Sequence, residues 1–344
     1  MKMSIVSPST ESVRPSRVRE TTWRESMKGA IRDPAELVRL LELPYGFVEP
    51  AKRAVQQFGL FAPREFVAKM RPGDPDDPLL RQVLPLGEEL AEAAGFTSDP
   101  VGDAATAKAP GLLHKYHGRV LLVTTGTCPV HCRYCFRRHF PYADGPRGIK
   151  EFAPALAAIA EDSSISEVIL SGGDPLTIVD SQLEALASSL ADISHVRRLR
   201  IHTRMPIMIP QRVTDEMLDW LTGTRLTPVV VVHANHPREI DQRVGASLRQ
   251  LASANVTLLN QSVLLSGVND DADVLVALSE QLMRYGVLPY YLHQLDRVAG
   301  AAHFEVAEAR GQKIVEQMRA QLPGYLVPKY VRETAGEGSK TALA

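Results

Sequence analysis

From Val120 onward, short apolar runs rich in β-branched residues alternate with amphipathic stretches. The runs are Val120–Thr125, Glu167–Ser171, Leu199–Thr203, Val229–His233, Leu258–Leu264 and Leu288–His293, and each reads as a strand. Between them Asp180–Leu190, Thr214–Leu221, Gln242–Ala252 and Asp273–Tyr285 carry helical periodicity. Short apolar strands separated by helices predict a parallel sheet buried on both faces. Six such units are fewer than a closed eight-stranded barrel needs. The expected fold is therefore α/β, a partial, open (β/α)6 barrel with its chemistry at the carboxyl ends of the strands.

The flanking segments have other rhythms. Leu37, Leu40 and Leu41 recur at helical spacing after a helix start at Asp33-Pro34, and Ala51–Phe58 and Pro63–Met70 read as further helices, interrupted at Asp74–Pro78. This predicts an N-terminal helical layer, preceded over residues 1–20 by a Ser-, Pro- and Arg-rich, loosely held arm. After the barrel come a helix (Val306–Leu322), an extended segment (Tyr325–Val331) and a Gly-rich tail around Lys340. The expected divisions are residues 1–110, 111–300 and 301–344. Net charge is −1, which gives no basic excess for nucleic acid. No apolar stretch is long enough to span a bilayer, and the first residues lack a signal-peptide core. The expectation is a reducing, cytoplasmic setting.

All three cysteines fall in the run Cys128-Pro-Val-His-Cys132-Arg-Tyr-Cys135. Three thiolates so close can hold three irons of a [4Fe-4S] cubane and leave the fourth open. The amino and carboxylate groups of S-adenosylmethionine (SAM) can chelate that open iron, and an electron passed to the sulfonium gives a 5′-deoxyadenosyl radical. The spacing resembles the radical SAM superfamily. A zinc site would need a fourth ligand from His131 or His139, and an electron-transfer or cluster-carrier protein could use the three cysteines alone.

Several further segments, in order, resemble lysine 2,3-aminomutase from about Arg24 to Lys340. They are Pro110-Gly-Leu-Leu-His-Lys-Tyr-His-Gly-Arg119, the cysteine run with Arg137-Arg138, Leu170-Ser-Gly-Gly-Asp-Pro-Leu176, Asn235-His-Pro-Arg-Glu239, Asn260–Asn269, Pro289–Asp296 and Gly-Ser-Lys340-Thr. The resemblance implies an isomerase that combines SAM with pyridoxal 5′-phosphate (PLP). The substrate amine joins the cofactor as an imine, the adenosyl radical removes a hydrogen from C3, and the amine migrates from C2 to C3. Carried over residue by residue, it implies that Cys128, Cys132 and Cys135 hold the cluster and that Lys340 binds PLP. Lys115, Tyr116 and Arg119 would grip the PLP phosphate, although the family more often has Arg at the first position. Ser171, Gly172, Gly173 and Asp174 would meet SAM, the glycines by letting backbone approach the ligand closely. His233 and Gln261 match positions near SAM and PLP. Arg137 would clamp the substrate carboxylate, while Asp296 and Glu333, the latter an Asp in the family, would receive the distal ammonium of lysine.

The short C-terminus after Lys340 resembles the elongation factor P lysine aminomutase branch. That likeness implies free L-lysine as substrate, (R)-β-lysine as product, a reductant for the cluster, and a partner ligase that attaches the product to elongation factor P. Arginine, ornithine or glutamate is the alternative substrate, and glutamate fits poorly opposite two acids.

Overall fold

The computed structural model describes residues 21–146 and 148–344; the arm expected over residues 1–20 lies outside them. Two unforeseen strands, β1 (Ala107–Ala109) and β2 (Leu112–Tyr116), precede β3 (Arg119–Thr125). The other expected strands follow as β4 (Glu167–Gly172), β5 (Arg198–Thr203), β6 (Thr227–Val232), β7 (Thr257–Val263) and β8 (Leu288–His293). Two more, β9 (Lys329–Arg332) and β10 (Thr341–Ala342), complete a ten-stranded sheet in sequential order. Strands β3 to β9 run parallel. The antiparallel pairs lie at the two ends, β1–β2–β3 and β9–β10. Strands β1 and β10 end the order without pairing to each other, so the barrel is open.

The helical layer comprises α1 (Trp23–Lys28), α2 (Pro34–Leu40), α3 (Val48–Ala54), α4 (Arg64–Val67) and α5 (Pro78–Arg81). Asp33 caps α2 by accepting from Ala35 N at 2.9 Å, with Pro34 at the first helical position where no amide is needed. Two of these helices differ from expectation. Helix α3 begins earlier because Pro50 fits within a first turn, and it ends where the Gln57 and Phe58 amides fold back on Ala54 O. Helix α4 is a single turn. The barrel helices are α6 (Ala153–Glu161), α7 (Asp180–Ala191), α8 (Met205–Met208), α9 (Asp215–Thr222), α10 (Gln242–Ser253), α11 (Ala272–Arg284) and α12 (Glu308–Gln321). Thr214, Asp241 and Asp271 cap α9, α10 and α11 through their side chains. In the expected extended segment, Gly324–Leu326 is instead a helical turn, and β9 starts only after Pro328, which has no amide for a ladder.

Strand alternation builds the cavity. Leu122, Leu170, Ile201 and Leu292 point into the main apolar cluster under the helices. Their neighbours Leu121, Ile169, Arg200, Gln261, Tyr291 and His293 line the interior. Register carries this face across the sheet, with Leu121 beside Ile169, Ile169 beside Arg200, and Gln261 beside Tyr291. One core runs from Ile31 and Phe66 through Leu122 to Tyr330, so the three segments of the chain share it.

Buried ion pairs fasten the helical layer to the barrel. Glu89 accepts from Arg133 Nε at 2.8 Å and Nη2 at 2.6 Å, and from Arg138 Nη2 at 2.8 Å. Removing one partner of a buried pair strands the others' charge. Glu89→Ala is expected to lower unfolding free energy by about 3 kcal/mol, with a smaller loss for Glu89→Gln. The denaturant midpoint measures this, and an unchanged midpoint for Glu89→Ala would show that the pairs do not secure the layer.

Candidate active site

Every residue expected to hold the cluster, a cofactor or the substrate lines one cavity, which reaches from Arg119 at the start of β3 to the cysteine loop beyond its end. Cys128, Cys132 and Cys135 sit on the loop that leaves β3. This loop has little regular structure and is held from outside. His131 N and Arg133 N donate to Phe61 O and Gln82 O, each at 2.9 Å. Arg204, at the end of β5, donates from Nη1 to Cys132 Sγ at 2.8 Å and from Nη2 to Gln82 and Glu239. Burial, then the neighbouring Cys135, pushes the Cys128 thiol well up. Burial and Cys132 push Cys135 up to about 11. Thiols that repel each other in a dry pocket suit a cationic iron cluster, which offsets the cost of their ionised form.

A zinc centre fits this arrangement poorly. His131 directs Nδ1 to Gly59 O at 2.9 Å and stacks on Phe58, while His139 directs Nε2 to Ala299 O at 3.1 Å. Among the described residues no three ligand side chains converge on a single ion. A cubane does not require that convergence, because each thiolate binds a different iron.

The glycines of the Ser171–Asp174 turn bring the end of β4 against another segment of backbone. Gly172 has φ of 110°, and a Cβ there would lie 2.8 Å from Thr125 O; at Gly173 it would lie 2.4 Å from Thr127 O. The close approach is thus to the start of the cysteine loop, and Gly173 N and Asp174 N donate to Thr125 O and Thr127 O at 2.7 and 2.8 Å. The Asp174 carboxylate is likewise occupied, accepting from Leu176 N, Thr203 Oγ1, Arg204 N and Met205 N. It ties the ends of β4 and β5 together. His233 accepts or donates at Nε2 to Tyr134 Oη at 2.8 Å and is held neutral by burial and then Arg204. Gln261 faces the cavity from β7.

A chain of alternating charges crosses the cavity. Arg137 Nε donates to Asp103 Oδ2 at 2.7 Å, and Arg137 Nη1 reaches Ser171 Oγ at 3.3 Å. Lys115 Nζ lies 2.7 Å from Asp103 Oδ1 and 2.9 Å from Glu333 Oε1, and Glu333 Oε2 takes Lys340 Nζ. Lys340 also stands 5.9 Å from the centre of the Tyr291 ring. The expected ammonium acceptor Glu333 is therefore already paired with two of the chain's own lysines. Burial would raise its carboxyl, but Lys340 and Lys115 outweigh that and hold it at about 2. Asp296, facing the same space, is pushed up to about 7 by burial and by the Glu333 charge.

The Arg119 guanidinium lies over the Tyr116 ring, 4.6 Å from its centre. Burial, then Glu333, raises Tyr116 to about 12. Arg200, paired with Glu167, leaves Nε without a partner, and His202 leaves Nε2 likewise, both buried at the cavity wall. Such unmet polar atoms in a lined cavity fit a polar cofactor. Sequence reasoning missed Asp103, Arg200, His202 and Arg204. The two strand residues could have been found from the alternation of β5, which makes residues 200 and 202 inward; Asp103 carried no signal beyond a Gly-Asp turn.

Residues 122–272 match the family model of the radical SAM superfamily. The chain is 48% identical over 325 residues to an L-lysine 2,3-aminomutase of Haemophilus influenzae, covering 94% of this chain and 96% of that protein. It is 45% identical to an L-lysine 2,3-aminomutase of Escherichia coli, covering 93% and 94%. With the L-lysine 2,3-aminomutase of Clostridium subterminale it shares 35% identity over 93% of this chain and 77% of that one. Near-full coverage at this identity, over a chain whose cysteine loop opens into the described cavity, establishes that the protein belongs to the lysine 2,3-aminomutase family of radical SAM isomerases, enzymes with a [4Fe-4S] cluster and SAM as cofactors.

Proposed function

We propose that this enzyme converts L-α-lysine into (R)-β-lysine by 2,3-amino migration with PLP as third cofactor. The observation that carries the reading is the charge layout of one cavity: Arg137 beside the cysteine loop, and Lys340, Glu333 and Asp296 at the far side. When bound, the cluster supplies an electron, SAM a hydrogen-abstracting radical, and PLP an imine that carries the migrating amine. Cys128, Cys132 and Cys135 hold the cluster, Lys340 bonds PLP, and Arg119 with Tyr116 faces its phosphate. Ser171, Gln261 and His233 offer polar contacts to SAM and PLP from the strand ends, while Gly172, Gly173 and Asp174 shape the turn.

With Asp103 on Nε and Ser171 Oγ on Nη1, Arg137 keeps Nη2 for a carboxylate. Asp296, together with Glu333 once Lys340 has bonded PLP, favours a cationic substrate end over the side-chain carboxylate of glutamate. Likeness to the elongation factor P branch extends the reading to the (R) enantiomer, a separate low-potential reductant, and a ligase that joins the product to elongation factor P.

The protein reconstituted anaerobically with iron, sulfide and PLP, then given L-lysine, SAM and dithionite, is expected to yield (R)-β-lysine by chiral mass spectrometry. SAM cleavage without β-lysine would sink lysine as substrate, and the (S) product would sink the branch assignment. Lys340→Ala is expected to abolish the imine absorbance of the PLP-loaded protein; retained absorbance would place the bonding lysine elsewhere.

Asp296 gives a pH signature. Its carboxyl is raised to about 7, so acidification through that value protonates it and removes a charge that attracts the substrate ammonium. The kcat/KM for lysine is expected to fall as pH drops below about 7 and the break to vanish in Asp296→Asn. A break that survives in that variant would assign it to another group.

A further inference from the structure

Lys115 stands at the centre of the charge chain. Its Nζ donates to Val101 O at 2.9 Å and to Glu333 Oε1 at 2.9 Å, and lies 2.7 Å from Asp103 Oδ1 as an ion pair. Two of its three N–H donors are thus spent on the chain itself, and both neighbouring carboxylates compensate its charge. Arg119, by contrast, keeps its guanidinium toward the same cavity.

The placement of the partners matters as much. Lys115 lies on β2, near one end of the strand order, and Glu333 directly follows β9, near the other. The Lys115–Glu333 pair therefore bridges the open side of the barrel, where no strand ladder runs. Each acid on Lys115 holds one more cation, Arg137 through Asp103 and Lys340 through Glu333. Arg137 stands at the carboxylate end of the amino-acid site and Glu333 at its ammonium end, so Lys115 links the two ends through Asp103 and Glu333.

We propose that Lys115 is a positioning residue that clasps the open side of the barrel and sets the distance between Arg137 and the Glu333–Lys340 pair, and thereby the length of amino acid the site accepts. In that role its counter-charges are the two acids rather than a phosphate. The proposal rests on the amino-acid site assigned under the proposed function.

The test uses the full-length protein and two independent readouts. PLP affinity is measured by absorbance titration without SAM. Steady-state constants are then measured with lysine and with ornithine, which is one methylene shorter. Lys115→Met is expected to bind PLP within about threefold of wild type, whereas Arg119→Met loses about tenfold, the cost of a charged hydrogen bond. Lys115→Met should raise the lysine KM about tenfold with a smaller change in kcat, and narrow the preference for lysine over ornithine. A cycle with Glu333→Gln should be non-additive, the double variant being no more than about twofold worse than the worse single one.

PLP affinity lost in Lys115→Met as in Arg119→Met, or effects of Lys115 and Glu333 that simply multiply, would overturn the proposal. If Lys115→Met does not fold, Lys115→Arg decides. A phosphate role then predicts equal or tighter PLP binding and an unchanged lysine KM, because the guanidinium fork suits phosphate. The clasp predicts a raised lysine KM, because the longer side chain displaces Glu333. Failure of the functional reading shows separately, as a wild type that binds PLP and forms no β-lysine.

Discussion

A parallel sheet that stops short of closure must seal its open side by some means other than a strand ladder, and in this protein the means is charge. The sheet runs in order from β1 to β10 without its ends meeting. Across the gap, Lys115 is gripped by Asp103 and Glu333, and these in turn by Arg137 and Lys340. Each of these ions alone would be costly in a pocket with little water; alternating along a chain, each has a neighbour of opposite sign on at least one side. The same residues that close the barrel therefore form the floor and walls of the site. Stability and recognition are coupled here, because any ligand that competes for one of these charges acts on the closure as well.

The electrostatics of the cavity are arranged by exclusion. His202, His233 and His293 all face it, and burial lowers each of them, with His293 down at about 3. Neutral imidazoles leave the cavity's positive charge on fixed lysines and arginines. The two carboxylates are driven apart in the opposite way, Glu333 to about 2 and Asp296 to about 7. One remains a permanent anion and the other becomes responsive near neutrality. That asymmetry arises because Glu333 has two lysines and Asp296 has none in direct contact.

Much of this was legible in the sequence. Short apolar, β-branched runs placed strands β3 to β8 within a residue or two, since strands covered on both faces are largely apolar. The cysteine spacing and the later motifs put every expected site residue on one cavity. What the sequence did not convey were relationships between distant segments. Strands β1 and β2 are short, carry Lys108 and Lys115 among apolar positions, and exist because they pair antiparallel onto β3. The glycines at 172 and 173 were legible as a site of close approach, but only the fold reveals that the approaching atoms belong to Thr125 and Thr127. Lys115 and Glu333 each depart from the family pattern when read singly. Together they are partners, and no pattern local to either residue could say so.

The tail shows the same dependence on pairing. A Gly-rich terminus with a lone lysine has, by composition, every property of a frayed end. Here Thr341 pairs with Arg332 and Ala342 with Val331, and Leu343 N donates to Tyr330 O at 2.9 Å. The intervening turn passes through Gly336 at φ of 84°, a conformation that glycine adopts without strain. Because Thr341 lies opposite Arg332, the preceding Lys340 meets the following Glu333. The hairpin register thus sets the amine against its counter-charge at the open side of the barrel. A Cβ at Gly336 or Gly338 would meet only open space, while the two-residue ladder beyond Lys340 fixes where the amine sits. A composition-only reading of the tail would find the glycines and miss the ladder that holds the amine in place.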